Sequence, residues 1–136
     1  MLLIIIGLAG SGKTSYFNSN KELSNNYEFH DDFLRNFFDG EVMEKISEDK
    51  NICLADPRLC NPKIFKDFIE TILKVLHKSK IKLLLFENNP ERCLINANKR
   101  ISKNVEKMID IYSKIYDLNN YLEFNHEIIK VYEDNQ

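Results

Sequence analysis

The residues most able to do chemistry lie near the start of the chain. Gly7-Leu8-Ala9-Gly10-Ser11-Gly12-Lys13-Thr14 fits the spacing G-x-x-x-x-G-K-[ST], and three of the four glycines in the chain fall inside it. Each residue type answers a need of phosphate binding. Glycine lets the backbone approach phosphate oxygens closely and adopt positive φ. Successive N–H groups and the N-terminus of a following helix then point at the anion. A lysine at position 13 reaches β- and γ-phosphates, and a threonine hydroxyl at position 14 is placed to hold Mg²⁺. Gly7, Ala9, Gly10, Ser11, Gly12, Lys13, Thr14 and Ser15 are therefore expected to hold a nucleoside triphosphate, with ATP and Mg²⁺ as the pair required. The motif demands a strand before it and a helix after it.

Carboxylates at three further places can complete such a site. Asp31 and Asp32 close the short run Tyr27–His30, Asp56 follows the run Asn51–Ala55, and Glu87 follows Ile81–Phe86. A carboxylate there can take the proton of a substrate hydroxyl. The bland readings are helix capping for Asp31 and Asp32 and a turn ahead of Pro57 for Asp56. Arginine occurs only at positions 35, 58, 92 and 100, and phosphate recognition favours its planar, two-pronged donor group. Arg35 and Arg58 each follow a strand-end Asp, where they are expected to hold a substrate phosphate. Arg92 reads as solvated. No NKxD segment is present, which argues against a guanine-reading GTPase.

These residues need a scaffold that brings strand ends together. Leu2–Ile6 is an unbroken apolar run, as a parallel strand covered on both faces requires. A short helix follows from Lys13. Phe33, Leu34, Phe37 and Phe38 mark a helix that Gly40 bends or breaks. Asn61-Pro62 and Asn89-Pro90 each combine a cap with a first-turn proline. The first opens a helix through Ile64–Leu76 and the second one that runs towards Arg100. Val105–Tyr116 marks a further amphipathic helix, and Ile128–Tyr132 a last strand. The alternation predicts an α/β fold: a single domain over 1–136 with a doubly wound, mostly parallel five-stranded sheet and helices on both faces. Ligands of such sheets bind beyond the carboxyl ends of the strands.

Composition sets outer bounds. A formal net charge of −2 argues against a strongly basic nucleic-acid coat protein. Cys53, Cys60 and Cys93 form no CxxC pair, which suits a reducing, cytosolic setting. The five-residue run at Leu2–Ile6 is too short for a signal peptide or a membrane span.

In order along the chain, IIIGLAGSGKTS, HDDFLR, LADPRLCNPK, LFENNPERCLINANKR and VEKMIDIYSKIY resemble segments of the kinase domain of the bacteriophage polynucleotide kinase family. The resemblance implies a P-loop kinase that moves the γ-phosphoryl group of ATP to the 5′-hydroxyl of a polynucleotide. It makes Asp31 the general base, gives Asp56 a substrate-side role, and makes Arg100 a lid arginine over the ATP phosphates; the family's substrate-phosphate arginine falls at Leu34, one residue before Arg35. Asp32, Arg35 and Arg58 are expected on the substrate side from their places at the strand ends. The lid falls at about 89–105, and a second lid arginine aligns near Asn96. Alternative acceptors are a nucleoside, a nucleotide, a hydroxymethylated DNA base or a small metabolite. A reading from another class is a nucleotide-binding regulatory protein without phosphotransfer.

Overall fold

The computed structural model describes residues 1–35, 40–98 and 103–133. Strand β1 (Leu2–Ile6) is buried along its whole length. It pairs in parallel with β3 (Ile52–Ala55) on one side and β4 (Ile81–Phe86) on the other, so that Ile4 lies opposite both Leu54 and Leu83. Strand β2 (Glu28–Asp31) flanks β3, and β5 (Asn125–Ile129) flanks β4. The order is β2-β3-β1-β4-β5, parallel throughout. Position in the sheet follows apolar content. The three inner strands are almost wholly buried, while the edge strands β2 and β5 alternate between half-buried and exposed residues.

Parallel strands need crossovers, and among the described residues six helices supply them: α1 (Lys13–Ser19), α2 (Lys21–Asn26), α3 (Gly40–Ser47), α4 (Pro62–Leu73), α5 (Pro90–Asn98) and α6 (Lys103–Ser113). Right-handed connection puts the β1-to-β2 crossover, with α1 and α2, on one face of the sheet. The three later crossovers run the opposite way along the sheet and cover the other face. Local chemistry sets where helices begin. Asn61 Oδ1 accepts from Lys63 N at 3.0 Å to open α4, and Asn89 Oδ1 accepts from Arg92 N at 3.1 Å to open α5. Both caps carry the proline that the sequence places after them. Asn20 does the same for α2 by accepting from Leu23 N at 3.2 Å, a helix the apolar pattern did not announce. Under α4 an aromatic cluster joins distant parts of the chain: the Phe65 ring centre lies 4.7 Å from that of Tyr121 and 5.8 Å from that of Phe124. No described helix is long and apolar enough to cross a membrane.

Two expectations change. The last strand is Asn125–Ile129 instead of Ile128–Tyr132. Ladder pairing with β4 ends at Phe86↔Ile129, and the chain then leaves the sheet. Val131 is buried all the same, because the departing segment packs on the glycine loop. The helix expected from Phe33 is a 3-10 turn over Phe33–Arg35, and α3 starts at Gly40. Positions 36–39, with Phe37 and Phe38, lie outside the described residues.

Ile4 sits fully buried at the centre of the sheet, whereas Ile128 on the edge strand is 58% exposed. Ile4→Ala should therefore lower unfolding free energy by about 2–5 kcal/mol. Ile128→Ala should change it by roughly 0.5 kcal/mol or less. Urea denaturation followed by circular dichroism checks both, and equal losses would contradict this layering.

Candidate functional site

The loop from Gly7 to Gly12 joins β1 to α1, as the motif requires. Gly10 and Gly12 take φ of +80° and +99°, conformations that side chains resist. Space is equally restrictive. A Cβ on Gly10 would lie 2.5 Å from the Cys93 carbonyl oxygen, and one on Gly12 would lie 2.6 Å from Tyr132 Cβ. Helix α5 and the segment after β5 thus press directly on the loop.

Lys13 is folded back onto the loop and only 8% exposed. Its ammonium donates to Gly7 O at 2.9 Å and Leu8 O at 2.8 Å, and lies 3.4 Å from Ser11 Oγ. Burial lowers its pKa, partly offset by nearby anionic groups, Asp31 and Asp56 among them. Three more loop carbonyls, those of Gly10, Ser11 and Gly12, also have donors, and Leu8 O has a second. Ser11 N donates to Leu8 O, Tyr132 N to Ser11 O at 3.0 Å, and Tyr16 N to Gly12 O. Asn96 Nδ2 donates to Gly10 O at 2.9 Å and to Tyr132 O at 2.8 Å. With the carbonyls held from outside and from the lysine, the loop fits an anion. A phosphate would take the lysine ammonium and the N–H groups that remain.

A second group of polar side chains stands at the ends of β2 and β3. Thr14 Oγ1 donates to Asp31 Oδ2 at 3.4 Å, while Asp31 Oδ1 accepts from Asp32 N at 2.9 Å. The sequence places Thr14 and Asp31 17 residues apart, and the sheet brings their side chains into contact. Asp32 is exposed, takes φ of +49° and has no side-chain partner among the described residues. Mg²⁺ uses one or two protein carboxylates or hydroxyls and fills the rest of its shell with water and phosphate. The Thr14 hydroxyl with the Asp31 carboxylate beside it is a donor set of that kind. Among the described residues no group of three or more His, Cys, Asp or Glu gathers as a self-sufficient metal site.

Asp56 holds this side together. Its side chain is fully buried, with Oδ1 accepting from Arg58 N at 2.9 Å and Oδ2 from Leu34 N at 3.2 Å. Arg58 Nη1 reaches Oδ2 at 3.5 Å. Both oxygens are thus spent on the protein, so the direct substrate contact expected for Asp56 gives way to fastening the turn after β2 to the turn after β3. Burial raises its pKa against the opposing pull of these donors. The Arg58 side chain remains 30% exposed at the rim. Arg35 lies in the 3-10 turn beyond Asp32. Glu87 is engaged elsewhere: its Oε1 accepts from Val131 N at 3.2 Å. Arg100 lies outside the described residues.

The segment read as a polar lid is divided. Helix α5 buries Cys93 and Ala97, and Asn96 ties it to the loop. Residues 90–98 are thus packed onto the site, and 99–102 lie outside the described residues. Asn96, taken as the stand-in for a lid arginine, bonds the loop backbone instead. Cys60 and Cys93 flank the same region, and burial pushes their thiols up to about 12 and about 11.

The chain is 37% identical over 134 residues to "Uncharacterized protein R277" of Acanthamoeba polyphaga mimivirus, with 97% of each chain covered. It belongs to that protein's family. No family model matches the chain. Among solved structures, a gluconokinase from Sinorhizobium meliloti 1021 superposes with a TM-score of 0.61 at 10% identity, over 97% of this chain and 83% of that one. A shikimate kinase from Acinetobacter baumannii, in complex with shikimate, gives 0.56 at 20% identity, over 99% and 84%. A chain of the PezAT toxin-antitoxin system of Streptococcus pneumoniae gives 0.62 at 14% identity, over 95% and 68%. The family shared with the mimivirus protein therefore has the fold of P-loop kinases, with the five-stranded parallel sheet expected of it.

Asp56→Ala leaves two partly buried N–H groups, of Leu34 and Arg58, without this acceptor. It should lower unfolding free energy by about 1–3 kcal/mol. Asp56→Asn keeps an acceptor and sheds a buried charge, so it should be milder. Equal urea midpoints for wild type and Asp56→Ala would refute the fastening role.

Proposed function

We propose that the protein is a kinase that moves the γ-phosphoryl group of ATP to a hydroxyl. The observation that carries this reading is the contact between Thr14 on the phosphate loop and Asp31 at the end of β2. It sets a solvent-exposed carboxylate beside the loop that would hold the triphosphate. Asp31 takes the proton of the acceptor hydroxyl as its oxygen attacks the γ-phosphorus. The bond from that phosphorus to the β–γ bridging oxygen breaks, and ADP leaves. Lys13 keeps Gly7 O and Leu8 O and turns its third N–H from Ser11 Oγ to the phosphate oxygens, whose charge it holds. Thr14, with Asp31 beside it, would hold Mg²⁺, which would supply charge neutralisation to the phosphates. Arg58 and Arg35 hold an anionic group of the acceptor, and Arg100 supplies further positive charge to the phosphates. Positioning and charge stabilisation do most of the work in such transfers.

The preferred acceptor is the 5′-hydroxyl of a polynucleotide, as the ordered resemblance to the phage family implies. A small hydroxylated metabolite is the second reading. The gluconokinase and shikimate kinase folds favour it, and so does a site whose described rim offers little beyond Arg58 and the two aspartates.

Incubation with γ-labelled ATP and a panel of acceptors separates the two: oligonucleotides with free 5′-hydroxyls, nucleosides and nucleotides, and small hydroxy acids. Label transfer to none of them, with ATP still bound, would favour the regulatory reading. Asp31→Asn should lower kcat by roughly 10²–10⁴-fold with little change in ATP affinity. Lys13→Ala should abolish transfer and weaken ATP binding in a folded protein. A harmless Asp31→Asn beside a crippling Asp32→Asn would move the base to Asp32.

For Arg100 the loss on changing to Ala should fall mainly on kcat, and Lys should rescue only in part because it lacks the two-pronged geometry. Unchanged kinetics in both variants would remove Arg100 from the site.

A further inference from the structure

Among the described residues, two buried side-chain polar atoms lack a hydrogen-bond partner: Arg92 Nε and Asn96 Oδ1. The second belongs to the side chain whose nitrogen bonds the phosphate loop. Both amide hydrogens of Asn96 are spent on carbonyls, Gly10 O at 2.9 Å and Tyr132 O at 2.8 Å, which fixes which atom is nitrogen and which is oxygen. Its oxygen is left buried with nothing to accept from. A residue selected for stability alone would not carry that desolvation penalty. The gain must lie in the two carbonyls it holds.

Those carbonyls matter because of the glycines. Gly10 at φ +80° has no side chain to fix its peptide planes, and a flipped plane would turn a carbonyl oxygen towards the bound anion. Asn96 holds the Gly10 carbonyl on the far side. The peptide that follows is held in the same way, because Tyr132 N donates to Ser11 O at 3.0 Å. Asn96 also bonds the carbonyl of Tyr132, so one side chain fastens both the loop and the segment that braces it. Gly12 N–H, on the peptide whose carbonyl is Ser11 O, is thereby aimed away from the brace. The Cys93 carbonyl, one turn earlier in α5, fills the space a Cβ on Gly10 would need, so the helix both blocks and ties the same residue.

We propose that Asn96 is a positioning residue for nucleotide binding, holding the phosphate loop with its carbonyls turned outward. This rests on the kinase reading above, in that the ligand is a nucleoside triphosphate. It assigns Asn96 a part that a lid arginine would not play: it touches the backbone of the loop and not the phosphates.

The test is ATP binding by isothermal titration calorimetry on the intact chain, for wild type, Asn96→Leu and Asn96→Asp, from pH 8 to pH 5. Asn96→Leu keeps the volume and loses the donor, so ATP should bind about tenfold more weakly or worse at every pH. Asn96→Asp at pH 8 sets a carboxylate against two carbonyls and should bind more weakly still. As the pH falls it gains a proton that can be donated to one carbonyl, and its affinity should recover towards that of the wild type. A merely structural role would give no such recovery. Wild-type affinity in both variants would overturn the proposal. Should Asn96→Leu fail to fold, the Asn96→Asp profile decides alone, and a profile parallel to the wild type would overturn it. If the wild type itself binds no nucleoside triphosphate, the kinase reading falls and takes this inference with it; if only the variants match the wild type, the kinase reading stands.

Discussion

An anion can sit in a loop of backbone only if the loop's own carbonyl oxygens are kept away from it. Much of this structure follows from that constraint. Lys13 holds two carbonyls from within, at Gly7 and Leu8. Asn96 and the backbone of Tyr132 hold two more from outside. Beneath the loop, the last carbonyls of β1 and β4 face the buried Tyr116 hydroxyl, which donates to Phe86 O and lies 3.3 Å from Ile6 O. The donors come from α1, α5, the turn after α6 and the segment after β5, so the parts of the fold farthest apart in sequence meet around six residues of backbone. Glycine makes the loop's shape possible, and the surrounding donors make it the shape that persists.

The ends of β2 and β3 are built on the opposite plan. Asp56 is buried and engaged by protein donors, whereas Asp31 and Asp32 are exposed. Three aspartates at two adjacent strand ends thus stand in different surroundings. Burial makes the difference: the enclosed carboxylate can be reached by protein donors alone, and under the proposed function the open ones are those a substrate would meet.

What could be read from the sequence was mainly local. The glycine loop, the unbroken apolar run before it and the Asn-Pro starts of α4 and α5 each declare themselves within a few residues, and the structure has them where the sequence places them. The side of the site built by long-range contact was less legible. Asn96 bonds Gly10 across 86 residues, and nothing in the run LINANKR marks its amide as a brace. The Ile128–Tyr132 run looked like one strand because apolar residues bury themselves equally well in a sheet and against a loop. Its first part pairs with β4, and its second part leaves the sheet to hold Ser11. Thr14 and Asp31 were both recognisable as chemical residues, but only the parallel order β2-β3-β1 sets them together.

The bond from Tyr132 to Ser11 has a consequence for the making of the protein. On a ribosome the glycine loop emerges well before its brace, which is synthesised about 120 residues later, on the order of ten seconds at ordinary elongation rates. Until the segment after β5 has cleared the exit tunnel, the peptide between Ser11 and Gly12 lacks the Tyr132 donor that holds it. The finished shape of the loop therefore arrives late, and a chain interrupted short of residue 132 would have every residue of the motif without that brace.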